Sequence, residues 1–279
     1  MLRWLLLRAY RIPRSPVRPT PDELGLRAED VELSACDGSI LRGWYLPVAP
    51  PAGAGPAVVV MHGWGSAGPD LLPAAASLAD AGLSALFLDA RGHGRSEATT
   101  FMSMPRFAED LEAGVAWLRQ RDEVAPTRIG LVGHSVGAGA ALLAASRDPA
   151  IARVVAIASM AHPEELLPRA RGLRPAPRTV TNRVLRTIED TIGHRFEDFA
   201  PVNTIREVRA DVLVVHGLDD TTVPPQDAER LVAAAGDRAR LRLVPDAGHR
   251  SLEPFLPLLP ELAAFLGGDP LDHAGGGDP

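Results

Sequence analysis

The sequence predicts an α/β protein whose mostly parallel central sheet is flanked by helices. Short, nearly continuous apolar runs recur along the chain, and such runs are typical of strands buried on both faces of a parallel sheet. Patterns of helical period separate these runs. The length of 279 residues suits one domain with insertions. The apolar runs cover residues 58–61, 85–88, 129–132, 154–157 and 212–215.

The folded part of the chain is expected to begin with a hairpin. Residues 31–35 alternate between apolar and polar side chains, Asp37-Gly38 is a turn signal, and residues 41–47 form the returning strand. Helices are then expected between the buried strands, followed by a last strand and a last helix. The predicted ranges are helices at 70–81, 105–121, 137–147, 180–192 and 254–266, and a strand at 241–244.

The ends of the chain differ in composition from its middle. We expect an N-terminal arm over residues 1–28, one domain over 29–266 and a disordered, glycine-rich tail over 267–279. The apolar run at residues 4–7 is too short for a signal-peptide core or a membrane span. Its neighbouring arginines leave an interfacial membrane helix as an alternative. The favoured interpretation is an arm that packs on the domain or frays in solution.

Composition excludes several classes of function. The formal net charge of −6 leaves no broad basic face for nucleic acid. Every basic side chain among the 29 is arginine, which excludes a lysine base, a Schiff base and a P-loop. Cys36 is the single cysteine, so an intrachain disulfide and a cysteine-rich metal site are excluded and a cytoplasmic location is expected. We expect no metal and no cofactor, and the sequence sets no oligomeric state.

A five-residue motif, Gly-His-Ser-Val-Gly at 133–137, is the first sign of catalysis. It follows the apolar run at 129–132 and precedes an alanine-rich stretch at 138–146. This order predicts a strand, a sharp turn and a helix, with Ser135 exposed at the turn as a nucleophile. The glycines allow the turn to approach its neighbours closely.

Serine needs a base within hydrogen-bond reach, and that base needs an orienting partner. His249 follows the last predicted strand, so we expect it at the carboxyl ends of the strands, where Ser135 also lies. The acid lies in His-Gly-Leu-Asp-Asp-Thr-Thr-Val-Pro-Pro at 216–225, where Asp219 and Asp220 compete.

With these motifs in this order, the chain resembles the α/β-hydrolase superfamily over residues 29–266. The residues at 29–47 are similar to a bacterial branch of serine-aminopeptidase-like and prolyl-oligopeptidase-like hydrolases. The resemblance implies the α/β-hydrolase fold and a Ser135–His249–Asp220 triad, because the family places its acid at the second aspartate. It also implies an oxyanion hole formed by the backbone N–H groups of Val136 and of Trp64, in the His-Gly-Trp-Gly loop.

The proline- and arginine-rich residues 161–207 interrupt the alternation of strands and helices. In the superfamily an insertion at this place forms a cap over the site, so the resemblance implies a small cap that lines the acyl or alcohol pocket. The alternative is that its apolar residues only hold the cap on the domain. The predicted substrate-binding residues are Trp64, Leu166, Leu167, Leu185 and Ile188, and further candidates are Leu173, Val184 and Phe196.

Three other polar residues near the motifs are assigned structural roles. Arg91 lies in Asp-Ala-Arg-Gly-His-Gly-Arg-Ser at 89–96, which resembles a loop of the same superfamily, and is expected to bind backbone carbonyls. We expect His62 to brace the loop that contains Trp64. His134 is expected to point away from the site.

The motifs predict a serine hydrolase that forms an acyl-enzyme. A carboxylesterase acting on a small-molecule ester with a small or medium acyl group is favoured. A thioesterase or a peptidase on the same triad is the alternative, and an aminopeptidase would use Glu164 and Glu165 to bind a free amine. A ligand-binding protein without catalysis is the alternative from another class. Serine at the turn, rather than aspartate, argues against haloalkane and epoxide chemistry.

Overall fold

The computed structural model describes Ile12 and residues 17–49, 53–169, 178–251 and 253–268, without the side chains of residues 167–169 and 178. Most of the arm predicted at residues 1–28 lies outside the described residues. So do the cap residue Leu173 and the tail beyond residue 268, and the domain boundaries therefore stay predictions.

Eight strands form one sheet in the order β1-β2-β4-β3-β5-β6-β7-β8. β2 is antiparallel to both of its neighbours, and all other pairs are parallel. This arrangement confirms the predicted mostly parallel α/β fold. The strands are β1 (Glu29–Ser34), β2 (Ile40–Leu46), β3 (Gly55–Met61), β4 (Ser84–Asp89), β5 (Val124–His134), β6 (Ile151–Ile157), β7 (Asp211–Gly217) and β8 (Ala239–Val244).

Helices cover both faces of the sheet because the buried strands are apolar on both faces. Along β3, Val59 and Met61 pack with the first set of helices, whereas Val58 and Val60 pack with the second. The first set is α2 (Met104–Leu118), α3 (Val136–Arg147) and α8 (Pro225–Ala235), and the second is α1 (Ala75–Asp80) and α9 (Leu259–Gly267).

The cap is inserted between β6 and β7, where the sequence predicted it. Its described helices are α4 (Pro163–Arg169), α5 (Arg178–Ile192), α6 (Phe196–Phe199) and α7 (Pro201–Thr204). Because β6 and β7 are parallel, their carboxyl ends lie at one edge of the sheet together with the end of β5. The cap therefore sits at the edge where α/β proteins bind their ligands.

Two predicted helices are each divided into a 3₁₀ turn and an α-helix. The helix expected at 70–81 is a 3₁₀ helix over Gly68–Ala74 followed by α1, and the helix expected at 254–266 is a 3₁₀ helix over Glu253–Leu258 followed by α9. Each 3₁₀ segment contains an internal proline, which has no N–H for a helical hydrogen bond. Helix α8 was not predicted, because only a narrow stripe of it is buried.

The loop after β4 is held by a buried guanidinium. The side chain of Arg91 is 1% exposed and contacts Asp110 at 2.6 Å, Asp37 at 2.7 Å and Glu109 at 3.1 Å. The prediction that Arg91 binds backbone carbonyls was therefore wrong. A charge removed from water needs charged partners, and these three carboxylates supply them.

None of the helices in the described part of the chain has the combination of length and apolar character that crossing a bilayer requires.

Candidate active site

Ser135 lies at a sharp turn between β5 and α3. Its φ is 56°, in the left-handed region that residues other than glycine rarely adopt. Its backbone N–H donates a hydrogen bond of 2.8 Å to the carbonyl oxygen of Ile157. A Cβ at Gly133 would lie 2.2 Å from the carbonyl oxygen of Gly137, and a Cβ at Gly137 would lie 2.4 Å from that of His62. The motif therefore needs both glycines to hold the serine in this strained position.

His249 reaches Ser135 from the loop after β8. Its Nε2 lies 3.0 Å from the hydroxyl oxygen of Ser135. The loop is attached to the loop after β7 because the backbone N–H of Asp219 donates to the carbonyl of Ala247 at 3.0 Å. A Cβ at Gly217 would lie 2.2 Å from the same carbonyl oxygen, so the two loops approach closely only with glycine there.

Asp220, and not Asp219, contacts the histidine. Its Oδ2 lies 2.7 Å from Nδ1 of His249, while Oδ1 accepts hydrogen bonds from the backbone N–H groups of Thr222 and Val223 at 2.9 and 2.8 Å. Burial alone would raise the pKa of Asp220, but hydrogen bonds from His216 and His249 hold that pKa well below its usual range. The carboxylate is therefore ionised at neutral pH, and Nδ1 of His249 carries the proton that faces it.

His134 lies against His249 and does not point away from the site, so that prediction was wrong. Its Nε2 lies 2.9 Å from the backbone carbonyl oxygen of His249, and the two rings are 5.3 Å apart between centroids. Burial, with the neighbouring His249 as a second cause, lowers the pKa of His134 to about 4. The neutral ring donates its Nε2 proton to the carbonyl, which connects the turn of Ser135 to the loop of His249. The histidine before the serine was visible in the motif, but its orientation was not.

The two expected oxyanion donors lie beside Ser135. Val136 is the first residue of α3, and Trp64 follows β3 in a loop that touches the turn: a Cβ at Gly63 would lie 3.2 Å from the Cβ of Ser135. His62 braces this loop, because its Nδ1 lies 2.7 Å from the carbonyl of Gly63 and its Nε2 accepts from the N–H of Ala90 at 3.1 Å.

A cavity of about 1320 Å³ surrounds Ser135 and His249. Of the predicted substrate-binding residues, Trp64, Leu166 and Ile188 line it, and so does Phe196. Leu185 packs against the apolar core and is not among the residues lining the cavity. The side chain of Leu167 lies outside the described residues. The lining residues on the sheet, such as Val132, were not predicted. Nothing in the sequence of an apolar strand indicates which of its residues lie beside a cavity.

Glu164 and Glu165, which an aminopeptidase would use to bind a free amine, are not arranged for that role. Both carboxylate oxygens of Glu165 accept hydrogen bonds from Arg230, at 2.8 and 2.9 Å. Glu164 is exposed and is not among the residues lining the cavity. Within the described ranges, no group of three or more His, Cys, Asp or Glu side chains could hold a metal ion.

The sequence profile of the serine aminopeptidase S33 family matches residues 54–197. The chain is similar to Rv2307c of Mycobacterium tuberculosis, with 32% identity over 248 residues that cover 88% of this chain and 81% of that protein. It is also similar to the thiohydrolase apmlB of Arthrinium phaeospermum, with 34% identity over 133 residues, or 47% of this chain and 42% of that protein.

The fold is similar to that of the esterase Pf2001 of Pyrococcus furiosus. The TM-score is 0.72 at 23% identity, and the match covers 92% of this chain and 96% of that chain. At this identity the match supports the fold alone.

Proposed function

Because this chain belongs to the serine aminopeptidase S33 family and is a hydrolase of the α/β-hydrolase superfamily, we propose that it is a carboxylesterase whose triad is Ser135, His249 and Asp220. One observation carries this proposal: the hydroxyl of Ser135, the imidazole of His249 and the carboxylate of Asp220 form a chain of contacts of 3.0 and 2.7 Å. Such a chain activates a serine.

In the proposed reaction, the Oγ of Ser135 attacks the ester carbonyl carbon while its proton moves to Nε2 of His249. The carbonyl oxygen becomes an oxyanion, which the backbone N–H groups of Trp64 and Val136 stabilise. When the carbonyl reforms, the bond to the alcohol oxygen breaks, and the proton on His249 passes to that oxygen. Water, deprotonated by the same imidazole, then attacks the acyl-enzyme and releases the acid and Ser135.

Esters with small or medium acyl groups are the proposed substrates. The esterase Pf2001 shares the fold, which is consistent with ester chemistry but does not decide it. Similarity to the thiohydrolase apmlB makes thioesters the second candidate, since the same triad serves both acyl groups. The pairing of Glu165 with Arg230 gives no support to an aminopeptidase, which needs a free carboxylate for the substrate amine.

Steady-state hydrolysis of p-nitrophenyl butyrate, S-butyryl thiocholine and alanine p-nitroanilide tests the proposal. We expect the ester to give the highest kcat/KM and the Ser135→Ala variant to lose turnover. Ser146→Ala is the matched control, because Ser146 lies in the same helix α3 and its hydroxyl donates to the carbonyl of Leu143. Turnover that survives in Ser135→Ala would contradict the proposal, and a parent inactive on all three substrates would favour the ligand-binding alternative.

A further inference from the structure

The cavity at Ser135 extends onto the face of the sheet opposite the main body of the cap. Here the cavity passes between α1 and α9, and we call this part the sheet-face arm. Its walls belong to the apolar cluster on that face, whereas the cap-side walls pack with the other cluster. The sheet-face arm is lined by Val60, Leu78, Val132, Val155, Leu262, Ala263 and Leu266.

Two strand residues show that the helices leave a gap. Val132 and Ile157 lie in β5 and β6, in the middle of the sheet, yet both are only partly buried. Central strands are fully covered where helices close over them. Val60 and Val155, which pair with Val132 from the two neighbouring strands, are 2% and 0% exposed, and Ala263 of α9 is 1% exposed. The gap over the sheet is therefore a narrow strip beside Val132 and Ile157.

The far end is closed because the two helices converge there. A Cβ at Gly267, the last residue of α9, would lie 3.5 Å from the carbonyl oxygen of Ala81, which directly follows α1. The arm is thus an apolar space that opens at Ser135 and ends where α1 and α9 meet.

The walls select an apolar occupant. The charged residues that line the cavity beside this arm, Arg18, Asp70 and Arg250, are all exposed, and the walls of the arm carry aliphatic side chains. A polar group placed there would lose its hydrogen bonds to water without replacement. Because the arm is continuous with the space at Ser135, a hydrocarbon chain attached to the reacting carbonyl would extend directly into it.

We propose that the sheet-face arm is the channel for the acyl chain of a medium-chain ester, an inference that rests on the proposed esterase function. The acyl group stays bound to Ser135 while the alcohol leaves and water enters, so a sealed arm suits the acyl chain. The cap side suits the alcohol, because Leu166, Ile188 and Ile192 are only partly buried and leave a route to solvent.

The length of the sheet-face arm sets the expected length of the acyl chain. Leu259 and Leu266 both line the cavity, and they lie seven positions apart, which is about 10 Å along α9. Carbon–carbon bonds of about 1.5 Å at tetrahedral angles advance about 1.3 Å per carbon. The arm therefore accommodates roughly eight carbons, and with the reach from Ser135 the preferred acyl group has about eight to twelve carbons.

The test measures kcat/KM for p-nitrophenyl esters from acetate to palmitate. We expect decanoate to exceed acetate by at least about tenfold, because each buried methylene adds binding. Ala263→Phe fills the arm, so the decanoate-to-acetate ratio should fall about tenfold. Ala264→Phe is the matched control: Ala264 is the next residue of α9 and is not among the residues lining the cavity. It should leave the ratio within about twofold of the parent.

Leu266→Ala is a second variant, and it should change the acyl-chain preference in the opposite direction, toward longer chains. It removes a wall at the sealed end, so the preferred acyl chain should lengthen by two or more carbons if the arm is the channel. This readout remains valid even if Ala263→Phe does not fold, which circular dichroism would reveal.

Different outcomes separate this inference from the function on which it rests. If the parent hydrolyses acetate through Ser135 but folded Ala263→Phe keeps the parent ratio and Leu266→Ala keeps the parent optimum, the channel is overturned and the esterase remains. A second series consists of acetate esters of alcohols from butanol to dodecanol. If kcat/KM depends on the length of the alcohol in this series, the arm binds the alcohol and the acyl assignment is overturned. A parent without Ser135-dependent turnover on any ester overturns both proposals.

Discussion

Both oxygens of Asp220 are engaged, one by His249 and the other by two backbone N–H groups. An amide at this position would present an N–H or a weaker acceptor to the imidazole and favour the wrong tautomer. Asp220→Asn should therefore lower kcat by about 10⁴. Asp219→Asn is the control, because Asp219 is exposed and meets the histidine loop through its backbone N–H. Steady-state kinetics on a short ester would measure both, and a larger loss at Asp219 would contradict the assignment.

We predict that His134 is a positioning residue that acts through the loop of His249. His134→Phe keeps a ring but removes the hydrogen bond to the carbonyl of His249, so kcat should fall about five- to tenfold with little change in KM. His134→Gln retains an N–H donor and should recover part of the loss. His194→Phe, at an exposed position of the cap, is the control. A change in KM alone would show that His134 only shapes the pocket.

The sequence indicated which residue types form the site, and geometry added how they are oriented. Ser135 and His249 could be selected because their motifs follow particular strands, whereas Asp220 was chosen over Asp219 through the resemblance to the α/β-hydrolase superfamily. The contact of His134 with the loop of His249 could not be predicted, since it depends on how the loop after β8 turns back over Ser135. The partners of Arg91 were missed for the same reason: Asp37 and Asp110 are far from it in sequence.

At the scale of secondary-structure elements, α5 of the cap is expected to affect the alcohol part of the substrate. Ile188 lines the cavity, whereas Val184 lies one turn earlier in α5 and is not among the lining residues. Ile188→Ala removes alcohol contacts, and each buried methylene is worth about 0.8 kcal/mol, or roughly fourfold in kcat/KM. For Ile188→Ala, the dependence of kcat/KM on the length of the alcohol, measured with alkyl octanoates, should differ from that of the parent. For Val184→Ala, this dependence should match that of the parent. Equal profiles for all three proteins would place the alcohol elsewhere.

The central strands were predicted because an apolar run buried on both faces leaves a strong pattern, and the hairpin of β1 and β2 was predicted from alternation and the turn signal between them. Helix boundaries were harder to predict. Prolines inside the segments before α1 and α9 convert their first turns to 3₁₀ geometry. Helix α8 was missed because its buried residues Asp227, Ala228 and Leu231 form a narrow stripe within a polar, alanine-rich segment. The gap between α1 and α9 was beyond prediction, since it arises only when two helices remote in sequence pack on one sheet.

In the molecule as a whole, buried histidines that stay neutral make the free energy of unfolding depend on pH. Burial lowers the pKa of His93 to about 3 and that of His134 to about 4, below the value of about 6.5 in an unfolded chain. Between about pH 6.5 and 4 the unfolded chain therefore binds more of these protons than the native state, so their contribution to the free energy of unfolding is full above pH 6.5 and falls as the pH is lowered.

His134→Gln isolates one of these contributions. Urea unfolding at pH 7.5 and pH 5.0 should show a smaller loss of unfolding free energy on acidification for His134→Gln than for the parent. Identical losses would show that His134 is not held neutral in the folded protein.

Covalent trapping is the decisive test of the proposal that Ser135 is the activated nucleophile of this fold. The protein is incubated with a fluorophosphonate, and its intact mass and tryptic peptides are measured by mass spectrometry. We expect one adduct per chain, located on Ser135, no adduct in Ser135→Ala, and much slower labelling of His249→Ala. An unlabelled parent, or an adduct that persists in Ser135→Ala, would contradict it.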